Sequence, residues 1–225
     1  MRFPNAAKGI SKLFTAEILG LFGLAFLGVS GVLYYANPEI RKFLEDTKAD
    51  KVPMAGTICA VFAAIALVIM IIGAIIKIVG VIQAAKDEGA FKAVIYVTIL
   101  AIVVSVIISI LAGSNKSALS TGFSNTIQNI LSLVTTFLVI GGISNLADQL
   151  GDEEMIARGA SIIRKIFWML VLAVLANIIA AFTHKPDGVM ATVAVVLAII
   201  AGILSFIAYV LYVIFLAKAK KMLQK

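Results

Sequence analysis

The sequence predicts an all-α, polytopic membrane protein with six transmembrane helices arranged as three helical hairpins. Of its 225 residues, 62% are hydrophobic and 14% are charged, whereas soluble globular chains are about 45–50% apolar and about 25% charged. Six stretches contain no Asp, Glu, Lys or Arg, at 18–38, 52–76, 93–115, 117–147, 166–184 and 188–217. Each reaches the roughly 18–20 residues with which a helix crosses about 30 Å of hydrocarbon. This pattern excludes soluble enzymes and nucleic-acid-binding proteins.

The spans are predicted to be helices and not strands of a barrel. Barrel strands alternate apolar and polar residues over about ten positions, but runs such as 61–76 are apolar on every face. Because the connections are short, residues 1–225 are predicted to form a single transmembrane domain. Its spans are expected at about 14–36, 54–84, 92–113, 126–148, 165–183 and 188–217.

Residues that favour helix ends mark the connections between these spans. Asn37-Pro38 predicts a cap followed by a first helical turn, and a short amphipathic helix is expected over about 38–46. Pro53 predicts the start of a helix that continues to Asp87. The run Gly151-Asp152-Glu153-Glu154 predicts the end of one helix and the start of the next, since acidic side chains are favourable at a helix N-terminus.

The distribution of Lys and Arg predicts the orientation of the chain. One side of the membrane receives the N-terminus, the 83–92 and 148–165 loops and the C-terminal tail, which together hold twelve Lys and Arg residues. The other side receives six. Since short cytoplasmic loops carry the excess of Lys and Arg, both termini are predicted to be cytoplasmic.

A short pattern in the odd-numbered spans suggests an internal repeat. Similar five-residue segments begin at Leu24, Leu100 and Leu172, at offsets of 76 and 72 residues. The alternative is coincidence, because a Leu, Ala and Val alphabet produces such matches easily. The repeat interpretation predicts three hairpins, at about 9–86, 89–149 and 153–220.

Lys77 and Glu17 are charged residues that lie inside predicted spans and not at the terminal residue of a span. Lys77 precedes Gln83 by six residues, which places it about 9 Å below the inner boundary, and Glu17 reaches a similar depth of about 7–8 Å. Opposite charges at one depth attract strongly in a low dielectric. Three interpretations remain open: Lys77 extends to the lipid headgroups, it pairs with Glu17, or it forms an anion or proton site.

Other polar side chains are predicted within the spans: Asn125, Gln128, Ser132, Thr135, Asn145 and Asn177. The first four follow one seam of the fourth span, which continues to Gly142 at three- and four-residue spacing. Such residues either line a solute or ion path or hold helices together by hydrogen bonds. For Asn177 the structural role is the favoured one.

No chemistry-bearing cluster is evident from the sequence. One His and one Cys cannot supply the grouped ligands that a metal site needs, and no glycine-rich phosphate loop is present. We therefore expect no catalytic residues, no cofactor and no metal. The net charge of +7 indicates contact with lipid headgroups, not with nucleic acid. The expected partners are the lipid bilayer and either further copies of the chain or another membrane protein.

Three resemblances to known families are visible. Gly28-Val29-Ser30-Gly31 resembles the Gly-x-Ser-Gly motif of rhomboid intramembrane proteases, whose six core spans carry a Ser–His dyad, with His184 as the histidine this would imply. In that family, however, the serine lies in the fourth core span and the histidine in the sixth, whereas here they fall in the first and fifth. The three-hairpin arrangement is similar to small bacterial acid-resistance membrane proteins of the HdeD type. Phe3-Pro4-Asn5, with Ala16-Glu17-Ile18-Leu19, resembles small six-span proteins of anaerobic Gram-positive bacteria.

These features leave three classes of function and one expected location, the bacterial cytoplasmic membrane. The first class is a small-solute or ion channel or transporter, either as a single chain or as an oligomer. The second is a non-catalytic membrane factor, such as a stress, immunity or complex-assembly subunit. An intramembrane protease is the third and most remote. Water along the seam from Asn125 to Gly142 would favour transport, and a dry, packed seam would favour the factor.

The predicted orientation can be measured by cysteine labelling. In a Cys59→Ala background, a membrane-impermeant reagent added outside intact cells should modify Ser117→Cys and leave Gln224→Cys unmodified. The reason is that the twelve-to-six distribution places residue 224 in the cytoplasm. Labelling of residue 224 alone would reverse the orientation.

Overall fold

A computed structural model of the chain describes residues 2–38, 54–114, 118–182 and 189–224, and every regular element within them is an α-helix. The helices are α1 (Pro4–Ala36), α2 (Met54–Ala84), α3 (Ala90–Ser114), α4 (Ala118–Leu150), α5 (Glu153–Phe182) and α6 (Val189–Gln224). The predicted all-α fold class is confirmed. The amphipathic helix expected over 38–46 falls almost wholly outside the described residues.

Helices in this structure are long and apolar enough to cross a membrane. Among the described residues, five segments meet this condition: Pro4–Ala36, Gly56–Ala84, Ala90–Ile108, Ile130–Leu150 and Val195–Gln224. Such helices are those of a multi-pass integral membrane protein. The remaining predicted span, 165–183, coincides with the second half of α5, where the side chains from 176 onward lie outside the described part of the chain.

The helices extend further than the spans predicted within them. α1 begins ten residues before the predicted 14–36, and α4 and α5 also begin before their predicted spans. A charge-free stretch predicts only the length of helix inside hydrocarbon, whereas the backbone continues as a helix into water. α2 is the exception, because it ends at Ala84 and not at Asp87, and residues 85–87 form a turn.

The chain forms two compact units. The bundle unit contains the first residues of the chain up to Ile10 and everything from Val81 onward. The hairpin unit contains Ser11–Gly80, which comprises most of α1 and α2.

The core of the bundle unit lies at one end of its helices. α3 packs against α4, α4 against α5, and α5 against α6. The largest fully buried side chains lie near the start of α1, the start of α3, the end of α4 and the end of α6: Ile10, Phe91, Val94, Val139, Ile140, Ile143, Leu146, Phe215 and Leu216. Further along, large apolar side chains such as Ile102 and Ile199 are more than half exposed. Exposed apolar surface of this extent suits contact with lipid.

The connection between α4 and α5 follows the predicted sequence pattern. Gly151 adopts a φ of 72°, a left-handed conformation that glycine accepts without steric cost. The N–H of Asp152 donates to the carbonyl of Ala147 at 2.9 Å, and the N–H of Gly151 donates to that of Asp148 at 3.0 Å, which closes α4. The Asp152 carboxylate then accepts the N–H of Met155 at 3.0 Å and caps α5. This boundary is confirmed.

The hairpin unit is an antiparallel pair of helices. Phe26 of α1 stacks with Phe62 of α2, with ring centroids 5.7 Å apart. Nearer the start of α1, the backbones come close: a Cβ on Gly73 would lie 3.4 Å from the carbonyl oxygen of Ala16. A small residue is required at this contact, as is common between membrane helices.

Two adjacent glycines of α4 offer a test of packing in the bundle unit. A Cβ on Gly142 would lie 2.8 Å from the fully buried ring of Phe91, whereas a Cβ on Gly141 would meet nothing within 4 Å. Gly142→Ala should overpack this contact at a cost of about 1–3 kcal/mol. Gly141→Ala should gain about 0.5–1 kcal/mol, because alanine favours a helix over glycine.

The two variants therefore serve as matched controls for each other. Thermal unfolding in one detergent, followed by circular dichroism, should place the melting temperature of Gly142→Ala below that of Gly141→Ala. Equal melting temperatures would show that Phe91 does not pack against Gly142 as described.

Candidate functional site

The hairpin unit holds an ion pair between its two helices. The Lys77 ammonium of α2 donates to Glu17 Oε1 of α1 at 2.6 Å. The Glu17 side chain is 8% exposed and that of Lys77 is 40% exposed. The contact follows from local sequence, because Gly73 lies one turn before Lys77 and lets α2 approach the carbonyl of Ala16, the neighbour of Glu17.

Of the three interpretations open for Lys77, pairing with Glu17 is the one that the structure shows. The sequence predicted similar depths for the two residues, and in the structure they lie at one level of the hairpin unit and contact each other directly. The pair is asymmetric, since the carboxylate is enclosed while part of the Lys77 side chain stays open.

Ser30 lies further along the hairpin and is buried against α2. Its hydroxyl donates to the carbonyl oxygen of Cys59 at 3.1 Å, and the Cys59 thiol donates to the Ser30 carbonyl oxygen at 3.3 Å. These bonds join the two helices. The serine of the Gly-x-Ser-Gly segment is therefore engaged in helix contact, and His184 lies outside the described residues.

In the described part of the α4 seam, the hydroxyl of Thr135 is bonded within the helix, as is that of its neighbour Thr136. Thr135 donates to the carbonyl of Leu131 at 2.9 Å, and Thr136 donates to that of Ser132 at 3.0 Å. Ser132 itself is exposed. At the far end, Gly142 is closed off by the Phe91 ring. The side chains of Asn125 and Gln128, which begin the predicted seam, lie outside the described residues.

Asn145 lies near the end of α4, where it belongs to a polar cluster. Its amide donates to Glu88 Oε1 at 3.4 Å, and the amide of Gln149 donates to Glu88 Oε2 at 3.4 Å. Arg2 donates to the backbone carbonyl of Gln149 at 2.8 Å. The start of α1, the α2–α3 turn and the end of α4 thus meet at one end of the bundle unit.

Asp87 caps the start of α1, a role that was not predicted from the sequence. Its carboxylate accepts the backbone N–H groups of Asn5 and Ala6 and the Asn5 side-chain amide, each at 2.8 Å. The preceding Pro4 has no N–H, and the N–H of Ala7 donates to the carbonyl of Phe3 at 3.0 Å. Every donor in the first turn of α1 is therefore satisfied.

The same contacts hold the pKa of Asp87 below its ordinary value. Partial burial acts in the opposite direction and raises the pKa, but the hydrogen bonds from the Asn5 side chain and from the N–H groups of Ala6 and Asn5 outweigh it. Asp87 is thus held as a carboxylate, which suits the positive end of the α1 dipole. A search for helix caps along the sequence misses it, because the acceptor lies 82 positions from Asn5.

The eight predicted polar residues do not share one described site. Glu17 and Lys77 contact each other, whereas Ser132, Thr135 and Asn145 are spread over about 20 Å of α4. The side chain of Asn177 lies outside the described residues. Gln83 was missed as a candidate: its Oε1 is buried and has no hydrogen-bond partner among the described residues. Within that part of the chain, no group of three His, Cys, Asp or Glu side chains is placed to hold a metal ion.

In comparisons with known proteins, no protein family, no curated protein and no solved structure matches this chain. Function is therefore inferred from its own residues, and the Glu17–Lys77 pair is the candidate site.

A double-mutant cycle measures the coupling of this pair. Glu17→Gln and Lys77→Gln should each lower the free energy of unfolding by about 1–3 kcal/mol, because each leaves the other charge without its partner. The double mutant should lose less than the sum of the two by at least about 0.5 kcal/mol. Unfolding in detergent gives these values, with the exposed Lys8→Gln of α1 as the control for loss of charge. Strictly additive losses would contradict the pairing.

Proposed function

We propose that this protein carries a small solute or ion across the bacterial cytoplasmic membrane, and that the Glu17–Lys77 pair lies on the path. The observation that carries this proposal is a contacting carboxylate and ammonium between apolar helices. Lys77 lies in the segment Gly56–Ala84, whose most apolar 18-residue stretch has a mean hydropathy of 3.1, the highest of the five membrane-crossing segments. A charged residue in such a segment calls for an explanation other than hydrophobicity.

Stability alone does not supply this explanation. Replacing a buried ion pair by apolar side chains of similar volume is often neutral or stabilising, because two charges lose their hydration when they are buried. Ionisable residues inside membrane helices are rare and mark ion pathways, substrate sites and proton relays. The half-open Lys77 side chain, beside the enclosed Glu17 carboxylate, gives a ligand or proton a way to reach the pair.

The proposed orientation places both termini in the cytoplasm and six spans in the membrane. The excess of Lys and Arg supports it. The start of α1 also lies beside the α2–α3 turn and the end of α4, through hydrogen bonds of Asp87, Glu88 and Arg2. Such contacts require that the chain crosses the membrane an even number of times between these segments. These segments are the ones that the charge distribution assigns to one side.

A second candidate, a non-catalytic membrane factor, is favoured by the state of the α4 seam. Within its described part, the Thr135 hydroxyl is bonded to a carbonyl of its own helix and Gly142 is packed against Phe91. The exposed Ser132 hydroxyl is then the polar group that this stretch of α4 leaves open to a permeating solute. A transport path that avoids it would run along the hairpin unit, at the surface where copies of the chain associate in an oligomer.

Flux measurements in liposomes separate the two candidates. Purified protein is reconstituted, and permeation is followed by stopped-flow light scattering for KCl, acetate, glycerol and urea and by an internal pH dye for protons. Transport predicts that the wild type exceeds protein-free liposomes by at least about tenfold for one of these species. Glu17→Gln and Lys77→Gln should remove this excess, while Lys8→Gln should keep it.

The opposite result is equally clear. If the wild type matches protein-free liposomes for every species, or if Glu17→Gln and Lys77→Gln permeate like the wild type, the pair is not on a path. The non-catalytic factor is then the better account.

A further inference from the structure

A groove runs between α5 and α6 of the bundle unit, with a volume of about 250 Å³. Lys165 lies at one end of its α5 wall and Leu172 at the other, a distance of about 10 Å along the helix. The α6 wall extends from Leu204 to Leu211. The surface of the groove is almost entirely apolar, because Lys165 and Trp168 line it with their carbon atoms and their polar groups contribute almost nothing to it.

The position of the groove along α5 is significant. Lys165 is the last charged residue of this helix, because 166–182 contains none. Trp168 follows one turn later and is 61% exposed. Lys at the end of an apolar stretch and Trp beside it mark the level of the lipid headgroups. The groove therefore starts at the headgroup level, where the exposed Lys165 side chain that borders it brings a positive charge, and it continues into hydrocarbon with an apolar lining.

We propose that this groove binds one anionic phospholipid, with its phosphate at Lys165 and one acyl chain along the apolar walls. The two ends of the groove match the two parts of such a lipid in charge and polarity, and basic pockets between membrane helices are known to hold anionic headgroups. A zwitterionic lipid fills the same apolar lining, but the positive headgroup that it carries weakens its attraction to Lys165. The selectivity thus resides in one side chain. This proposal does not depend on the transport function.

The chain contains a single tryptophan, and it lines the groove, so its fluorescence reports what occupies the site. The protein is reconstituted in phosphatidylcholine vesicles that contain either brominated phosphatidylglycerol or brominated phosphatidylcholine as a quencher. Quenching of Trp168 should give phosphatidylglycerol a relative binding constant about fivefold higher, the preference expected from one Lys at a membrane surface.

Substitutions at two adjacent residues then separate the groove from general surface charge. Lys165→Gln should reduce the relative constant to about one, and Lys165→Arg should retain the preference. Arg164 is exposed and does not line the groove, so Arg164→Gln should also retain it. Circular dichroism confirms that each variant has its native helix content before it is compared.

Several outcomes would overturn the proposal. A wild-type constant of one means that the groove does not select anionic lipid, and an equal loss in Lys165→Gln and Arg164→Gln means that only diffuse charge acts. Absence of quenching by either lipid means that protein, such as a second copy of the chain, covers Trp168. Displacement of brominated phosphatidylglycerol by millimolar glycerol phosphate would identify a soluble phosphate as the ligand in its place.

Discussion

The lack of water inside the hydrocarbon layer is the constraint on which this structure depends. Backbone N–H and C=O groups that find no partner there cost several kcal/mol each, about as much as any unpaired amide in an apolar medium. The chain meets this constraint with helices, and some of the helix ends are closed by short-range bonds. At the α4–α5 connection, Gly151 and Asp152 do so within six residues. The side chains are then free to face lipid.

Packing is distributed unevenly because lipid replaces much of the usual core. Close contacts concentrate where the helices leave the apolar region, around Phe91, Ile143 and Phe215. In the hairpin unit, where only two helices are packed together, specific polar contacts accompany small residues: Lys77 with Glu17, and Ser30 with Cys59. Between membrane helices, where apolar burial gives little drive for association, such bonds and close backbone approach contribute most.

Sequence reasoning reached the fold class and the helices, and it included the Glu17–Lys77 contact among three open interpretations, because each follows from patterns along one or two segments. The depth of a residue in the membrane can be calculated from the helix rise of 1.5 Å per residue. Two opposite charges at equal depth can therefore be proposed as a pair from the sequence. The Asp87 cap, the Phe91–Gly142 contact and the groove beside Lys165 were not predictable in this way. Each involves residues from different elements of the chain, and a run of Ala, Ile, Leu and Val does not indicate which face of a helix packs against which neighbouring helix. The predicted internal repeat and the roles of Asn125, Gln128 and Asn177 remain predictions.

The long separation between Asn5 and Asp87 has a consequence for biosynthesis. Residue 87 is made 82 positions after residue 5, and a ribosome adding about 5–20 residues per second needs about 4–16 s to cover that distance. During this interval α1 exists without the carboxylate that closes its first turn. The first turn of α1 therefore receives its last hydrogen bonds only after the whole of α2 has been synthesised, from a residue that directly follows α2.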